Sequence, residues 1–320
     1  MNITGIAEIM DKSLDILRQK FKDIVMYNLV YTMILGIVGF LLIVLFAILG
    51  IFLVSSSDEF SGVITYVSVL LTILLGLYLS LGTGVINIAS KTVLGEKTSI
   101  GKSISLAFKA ILKTLALTFL VALTLIPAII IFYYMGRGFI DSFFNFINFG
   151  TFTFRLQWLI FIIIPLFMLL LAFFVAILYL IFYIYILQEM IIEKKGPIRA
   201  IKGSYRLIKN NYFTTLKNVF LVLLSVYGIR YSFESIVTLV VAIIYLAGVL
   251  FGIEQDMMTI FTGIYGVMTV PLTALTWLVI TPVFFIMTTV MYYNERAKKD
   301  GIDLYMKLET LKKQRKEMAK

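Results

Sequence analysis

The chain has 320 residues, of which 61% are hydrophobic and 14% charged, with a mean hydropathy of +1.00 and a formal net charge of +10. Soluble domains carry roughly a quarter charged residues, so a fully solvated surface is excluded and most of this one must face lipid. The absence of Cys and His excludes disulfides, thiol nucleophiles, imidazole or thiolate zinc sites, and the side chain most often used for proton transfer near neutral pH.

A membrane span needs about 20 apolar residues. Six stretches qualify: Asn28–Val54, Val63–Ala89, Thr114–Tyr134, Gln157–Leu187, Asn218–Val240 and Ile260–Tyr292. The first is preceded by an amphipathic basic helix in which Ile3, Ile6, Met10, Leu14, Leu17 and Phe21 recur at steps of three and four. No signal-peptide pattern marks these residues, so the first span is expected to be retained. Gly76, Gly82 and Gly84 put small residues on the second span, suited to close helix contact. A second amphipathic helix follows, with Ile100, Ile104, Phe108, Ile111 and Leu115 as its stripe and Lys102, Lys109 and Lys113 among them.

Pro127 and Pro165 fall in spans three and four, and Pro271 and Pro282 in span six. Each removes an intrahelical hydrogen bond, which predicts kinks, above all in span six. Residues 135–156 hold seven phenylalanines and are expected to lie in the outer interface or cover the bundle. A third amphipathic helix has Ile198, Ile201, Tyr205 and Ile208 as its stripe. As one helix, residues 218–253 would run about 54 Å against a hydrocarbon core of about 30 Å, which predicts a break between Gly228 and Tyr245. Tyr133, Tyr134 and Trp158 are expected in an outer aromatic belt, with Tyr27, Tyr292 and Tyr293 in an inner one. Residues 306–320 read as a charged, solvated tail helix.

Twenty-five of the 28 Lys and Arg residues fall in four segments, 1–24, 91–113, 188–217 and 291–320. These carry 12 acids, a net +13, and alternate with pairs of spans. Cytoplasmic retention of Lys and Arg then places both termini inside. The charge is an orientation signal; no hydrophilic segment is long enough to be a nucleic-acid-binding domain. The abundance of Ile, Lys, Asn, Phe and Tyr points to an AT-rich bacterial genome and so to the bacterial cytoplasmic (inner) membrane.

The three amphipathic helices align without gaps as KSLDILRQKF (12–21), KSISLAFKAI (102–111) and GSYRLIKNNY (203–212), superimposing Ser13, Ser103 and Ser204. The expected fold is an all-α polytopic bundle. Its six spans form three hairpin repeats, each led by an amphipathic cytoplasmic helix. The repeats cover 1–94, 95–193 and 194–293, and a charged tail covers 294–320.

Arg230 and Glu234 are the ionisable residues within the long apolar stretch, four apart on one helix face. They are either an intramembrane site for an anion or lipid headgroup or an interfacial pair that reaches headgroups. Lys194, Lys195, Arg199, Lys202, Arg206, Lys209 and Arg296 are candidate contacts for anionic lipid. Glu189 and Glu193 are expected to pair with Lys194 or Lys195. No catalytic arrangement, cofactor site or metal site is legible in the sequence.

The stretch QEMIIEKKGPIRAIKGSYRLIKNNYF (188–213) resembles a signature of the membrane domain found with bacterial glycerophosphodiester phosphodiesterases, at Glu193, Gly196, Pro197, Ala200, Ile201, Ser204 and Leu207. The ending MYYNERAKKDGIDL (291–304) resembles that domain's closing element, at Tyr292, Tyr293, Arg296, Lys299, Asp300, Gly301, Asp303 and Leu304; Asn294 stands where the pattern has Asp. The resemblance implies a multi-pass helical domain. It implies no phosphodiesterase activity here, because that enzyme class uses His, Glu and Asp around a metal.

The expected protein is non-enzymatic: a scaffold or partner module for envelope or lipid processes, with anionic lipids and a cytoplasmic protein as partners. The alternative is a transporter of a lipid or a glycerophospho-type anion. Cysteine mapping suits a chain without native Cys: Ser57→Cys should label from outside and Lys195→Cys from inside, and the reverse pattern would overturn the topology.

Overall fold

The computed structural model describes residues 5–54, 59–148, 156–251 and 257–300, and among these the chain is helical with no strand. Eight helices follow in order: α1 (Ile6–Val54), α2 (Glu59–Val93), α3 (Ile100–Asn148), α4 (Leu156–Leu180), α5 (Ile186–Ile191), α6 (Pro197–Ile208), α7 (Tyr212–Leu250) and α8 (Met257–Asp300). A 3-10 turn at Ile181–Tyr183 separates α4 from α5. Six helical stretches are long and apolar enough to cross a membrane, which makes this a multi-pass membrane protein with an all-α bundle.

The core sits at one end of the bundle. Its buried residues come from 9–31 of α1, 81–89 of α2, 107–117 of α3, 181–190, α6, the start of α7 and 283–293 of α8. This is also the end that carries the basic segments, and it is called the basic end below. α2 and α8 run through its centre: half of the most apolar stretch of α2 and 72% of that of α8 are buried, against 6% for α1, α4 and α7. The opposite halves of the long helices present large apolar side chains outward, Phe40, Phe167 and Leu239 among them, as lipid-facing surfaces do.

Close approach at the centre depends on glycines. A β-carbon on Gly82 would collide with the Phe285 ring, one on Gly84 with the Tyr27 ring, and one on Gly76 with Leu115 and Thr118. The small residues of the second span thus act as expected, letting helices meet backbone to ring.

The amphipathic segments differ from expectation in a regular way. α1 is helical before and after Lys20, which has non-helical dihedral angles (φ −119°, ψ 18°), and its first part buries Ile9, Ser13 and Ile16. The first turns of α3 bury Ser103, Ala107, Ala110 and Thr114, and α6 buries Ala200, Ser204 and Leu207. The most buried line lies largely one residue before the expected stripe. Of the stripe itself, Ile208 is buried and Met10, Leu17, Ile100, Ile104 and Ile201 pack partly against the core, while Phe21, Phe108, Ile198 and Tyr205 are exposed. Small and hydroxyl side chains on the inner line allow close helix contact.

Other expectations need correction. α7 is one continuous helix through Gly228 and Tyr245, so the predicted break is absent. No proline interrupts it, and about 58 Å of helix exceeds the apolar core without breaking. Residues 135–148 continue α3 instead of forming a separate interfacial piece, and 149–155 lie outside the described residues. Tyr27, Tyr292 and Tyr293 are buried in the core, not in an interfacial belt, because each hydroxyl finds a partner there. The tail at 306–320 lies outside the described residues.

Pro127, Pro165, Pro271 and Pro282 all sit inside helices. Pro282 has no N–H to give the carbonyl of Leu278, four residues earlier. Asn28 supplies the missing donor: its Nδ2 donates to Leu278 O at 2.8 Å, across from α1 to α8. Asn28→Ala should therefore lower stability by about 1–3 kcal/mol, the cost of an unsatisfied buried acceptor. Adding Pro282→Ala, which restores the helix's own donor, should recover most of that loss. Unfolding of the single and double variants in lipid nanodiscs checks the cycle, and additive losses would show that Asn28 acts elsewhere.

Candidate functional site

Residues 188–213 of the first motif stretch and 291–300 of the second lie about a hundred residues apart in sequence and meet at the basic end; 301–304 lie outside the described residues. α5 carries Gln188 and Glu189, both almost fully buried. The Glu189 carboxylate pairs with Lys195 and accepts from the Tyr292 hydroxyl at 3.4 Å. The Tyr292 hydroxyl in turn accepts from Arg296 at 2.9 Å, and Arg296 pairs with Glu193. Gln188 Nε2 donates to Thr288 Oγ1 at 3.0 Å. Asn211, just before α7, donates to the buried Glu295 at 3.3 Å, which also meets Lys298 at 3.2 Å. Tyr293 closes the ring toward α2 through Ser90 at 2.7 Å. These contacts join α2, α5, α7 and α8 into one polar interlock.

The local sequence explains the placement. Gly196 caps α6 in extended conformation and Pro197 opens it, as a Gly-Pro pair does at a helix start. Gly203 faces the Glu189 carboxylate so closely that a β-carbon would overlap it. Ser204 sits one residue on. Its hydroxyl donates to Phe182 O at 2.6 Å and accepts from the Tyr185 N–H at 3.3 Å. The Tyr212 hydroxyl donates to Leu178 O at 2.7 Å. The fourth span, expected as one helix, is thus interrupted at 181–185, and side chains of α6 and α7 take over the backbone groups that the interruption frees. Tyr185 Oη and Gln188 Oε1 are buried at the same junction without a hydrogen-bond partner.

The predicted residues do not form one patch. Lys195 and Arg296 belong to the interlock. Arg199, Lys202, Arg206 and Lys209 lie on the exposed side of α6, and the Arg206 carbonyl accepts from Lys299. Lys194 stands apart, bordering a groove beside α3. Glu189 pairs with Lys195 as expected, whereas Glu193 pairs with the distant Arg296. Asp303 lies outside the described residues. Arg230 and Glu234 form the expected pair on α7 at 2.8 Å, with side chains 49% and 46% exposed. Arg230 also borders a groove of about 340 Å3 between α2, α7 and α8, with Tyr78, Tyr227 and Trp277.

Glu295, Tyr185, Asn28 and Asn211 escape sequence reasoning. A lone Asn inside a span is the signal that points to Asn28; the others carry no periodic signature. Among the described residues, no three Asp or Glu side chains gather closely enough to hold a metal ion. Compared with known proteins, the chain matches no family model, no curated protein and no solved structure.

The tight seat of Gly203 gives a direct test. Gly203→Ala should destabilise by about 1–3 kcal/mol, because the added methyl must displace a buried, paired carboxylate. Gly228→Ala, with open space around it, should stabilise by about 0.5–1 kcal/mol through helix propensity. Thermal unfolding in nanodiscs reads both, and equal shifts would mean that the Glu189 contact carries no stability.

Proposed function

We propose that this is a non-enzymatic module of the bacterial inner membrane, with its basic end and both termini cytoplasmic, serving as a scaffold for a partner in envelope or lipid processes. The supporting observation is the interlock. The charged and polar motif residues are spent on binding helix ends to one another, with Glu189, Glu193 and Glu295 each engaged by cations or amide donors. The face left over is the outer side of α6, where Arg199, Lys202, Arg206 and Lys209 flank the exposed Ile198 and Tyr205. Basic residues around two apolar side chains suit an acidic protein surface lying against the membrane.

The reading extends to ancestry. Ser13, Ser103 and Ser204 are all buried; the first two lie in the opening turns of the long helices α1 and α3 and the third in α6, which precedes α7 and α8. This supports descent from one hairpin copied three times, and kinship with the membrane domain named above.

A translocator is the second reading, favoured by one feature: a groove between α2, α7 and α8 is bordered by the charged Arg230 together with Tyr78, Tyr227 and Trp277. One experiment separates the two. With a photo-crosslinking residue at Tyr205 or Ile198 in cells, the scaffold reading expects a discrete protein adduct that Arg206→Glu abolishes. In proteoliposomes it expects lipid and glycerophosphate movement at the protein-free rate. Accelerated movement that falls to background when Arg230 and Glu234 are exchanged would establish the translocator instead. An exposed pair of this kind contributes only about 0–1 kcal/mol to stability, so the exchanged variant should still fold.

A further inference from the structure

A groove of about 410 Å3 runs between the first turns of α3 and the end of α5. Lys102, Lys109 and Lys113 line it from α3 and Lys194 from the turn after α5, while Leu106 and Met190 are among its apolar lining. The spacing is seven and then four residues, which stacks the three α3 lysines along one helix face. None of the described residues lining the groove is acidic. Several other cations at this end meet carboxylates: Lys195 with Glu189, Arg296 with Glu193, Lys298 with Glu295, and Lys91 with Glu96. The four lysines instead border one partly apolar groove, so an anion there meets cations from two walls and no like charge.

The backbone supplies a second observation. Lys194 adopts the left-handed conformation (φ 55°), the one described non-glycine residue to do so. That conformation is unfavourable for a residue with a β-carbon, and such strain clusters at ligand clamps. Here it lets three consecutive residues serve three directions: Glu193 reaches α8, Lys195 reaches Glu189, and Lys194 borders the groove.

We infer that this groove binds a phosphate group, the lysines holding its oxygens and the apolar floor receiving the glycerol or first acyl carbons attached to it. A basic pocket between spans on the cytoplasmic side is the kind that takes lipid headgroup phosphates. The inference rests on the proposed anionic-lipid contact but names one site for it, distinct from the exposed face of α6.

The test uses the full chain in nanodiscs of phosphatidylcholine with added phosphatidylglycerol, which expose both faces, so the result does not depend on orientation. Native mass spectrometry reads the phosphatidylglycerol retained per protein. Replacing Lys102, Lys109, Lys113 and Lys194 with Gln should weaken retention at least about tenfold. Replacing Arg18, Lys22, Lys97 and Lys217 with Gln removes the same charge from exposed positions of the basic segments that line neither the groove nor α6, and should leave retention nearly unchanged. The milder Lys109→Gln/Lys194→Gln variant, one change on each wall, should fall in between and covers failure of the fourfold variant to fold. Equal losses from the two fourfold sets would overturn the groove while leaving a general lipid-attracting face; no loss from either would overturn both. Glycerol 3-phosphate and inorganic phosphate then identify the source: displacement of retained lipid by them assigns the groove to soluble phosphates, and resistance assigns it to the lipid headgroup.

Discussion

Inside a bilayer, every backbone donor or acceptor that a helix releases must find its partner in the protein, and the packing of this chain follows from that demand. At two places a side chain from another helix takes such a group. Pro282 frees Leu278 O, which Asn28 takes. The interruption at 181–185 frees groups that Ser204 and Tyr212 take. In both cases the rescuing side chain comes from another helix, 250 residues away for Asn28 and 19 to 34 for Ser204 and Tyr212, so meeting the demand also fixes which helices are neighbours. α1 is held to α8, and α6 and α7 are held to the end of the fourth span.

The same demand explains why the core lies at one end. Hydrocarbon offers no hydrophobic drive to bring spans together, since lipid tails are as apolar as Leu. Association must come from close packing and polar contacts, and both concentrate where Gly76, Gly82 and Gly84 admit rings and where Gln188, Glu189, Tyr292, Tyr293 and Glu295 meet. The most apolar stretches of α1, α4 and α7 have fewer such contacts and are only 6% buried. A bundle clasped at one end and loose at the other can hold its basic surface in a fixed arrangement while its lipid-facing helices adjust to the membrane.

The six spans were legible because hydropathy over twenty residues is a strong signal and lipid imposes it without exception. The ion pair on α7 was legible because it is local. The buried faces of the amphipathic segments were legible in part: Ile208 and, less fully, Met10, Leu17, Ile100, Ile104 and Ile201 pack inward, while Phe21, Phe108, Ile198 and Tyr205 do not. The aligned serines Ser13, Ser103 and Ser204 all lie on the packed face, where small side chains allow close contact. What remained hidden depends on distance. Asn28 meets a carbonyl 250 residues on, Glu189 a tyrosine 103 on, and Asn211 a carboxylate 84 on. Nothing in a single sequence ties such partners together. The break in the fourth span was equally hidden, because it contains neither Pro nor Gly and is stabilised from outside.

Residues 193–195 join the two chemistries of the basic end. Glu193 and Lys195 are committed to the interlock, one toward α8 and one toward the buried Glu189. Lys194 between them is committed to the groove beside α3. The left-handed backbone at Lys194 is held because its neighbours on both sides are pinned by charge, and strain of this kind persists only where the surroundings over-determine it. Any change in the register of α8 against α5 pulls on Glu193 and therefore on the backbone that positions Lys194. Conversely, an anion held by Lys194 and the α3 lysines restrains that backbone and with it the Arg296 pair. Linkage requires the effect to run equally both ways: if an anion in the groove tightens the clasp between α5 and α8, loosening the clasp must weaken the hold on the anion by the same factor.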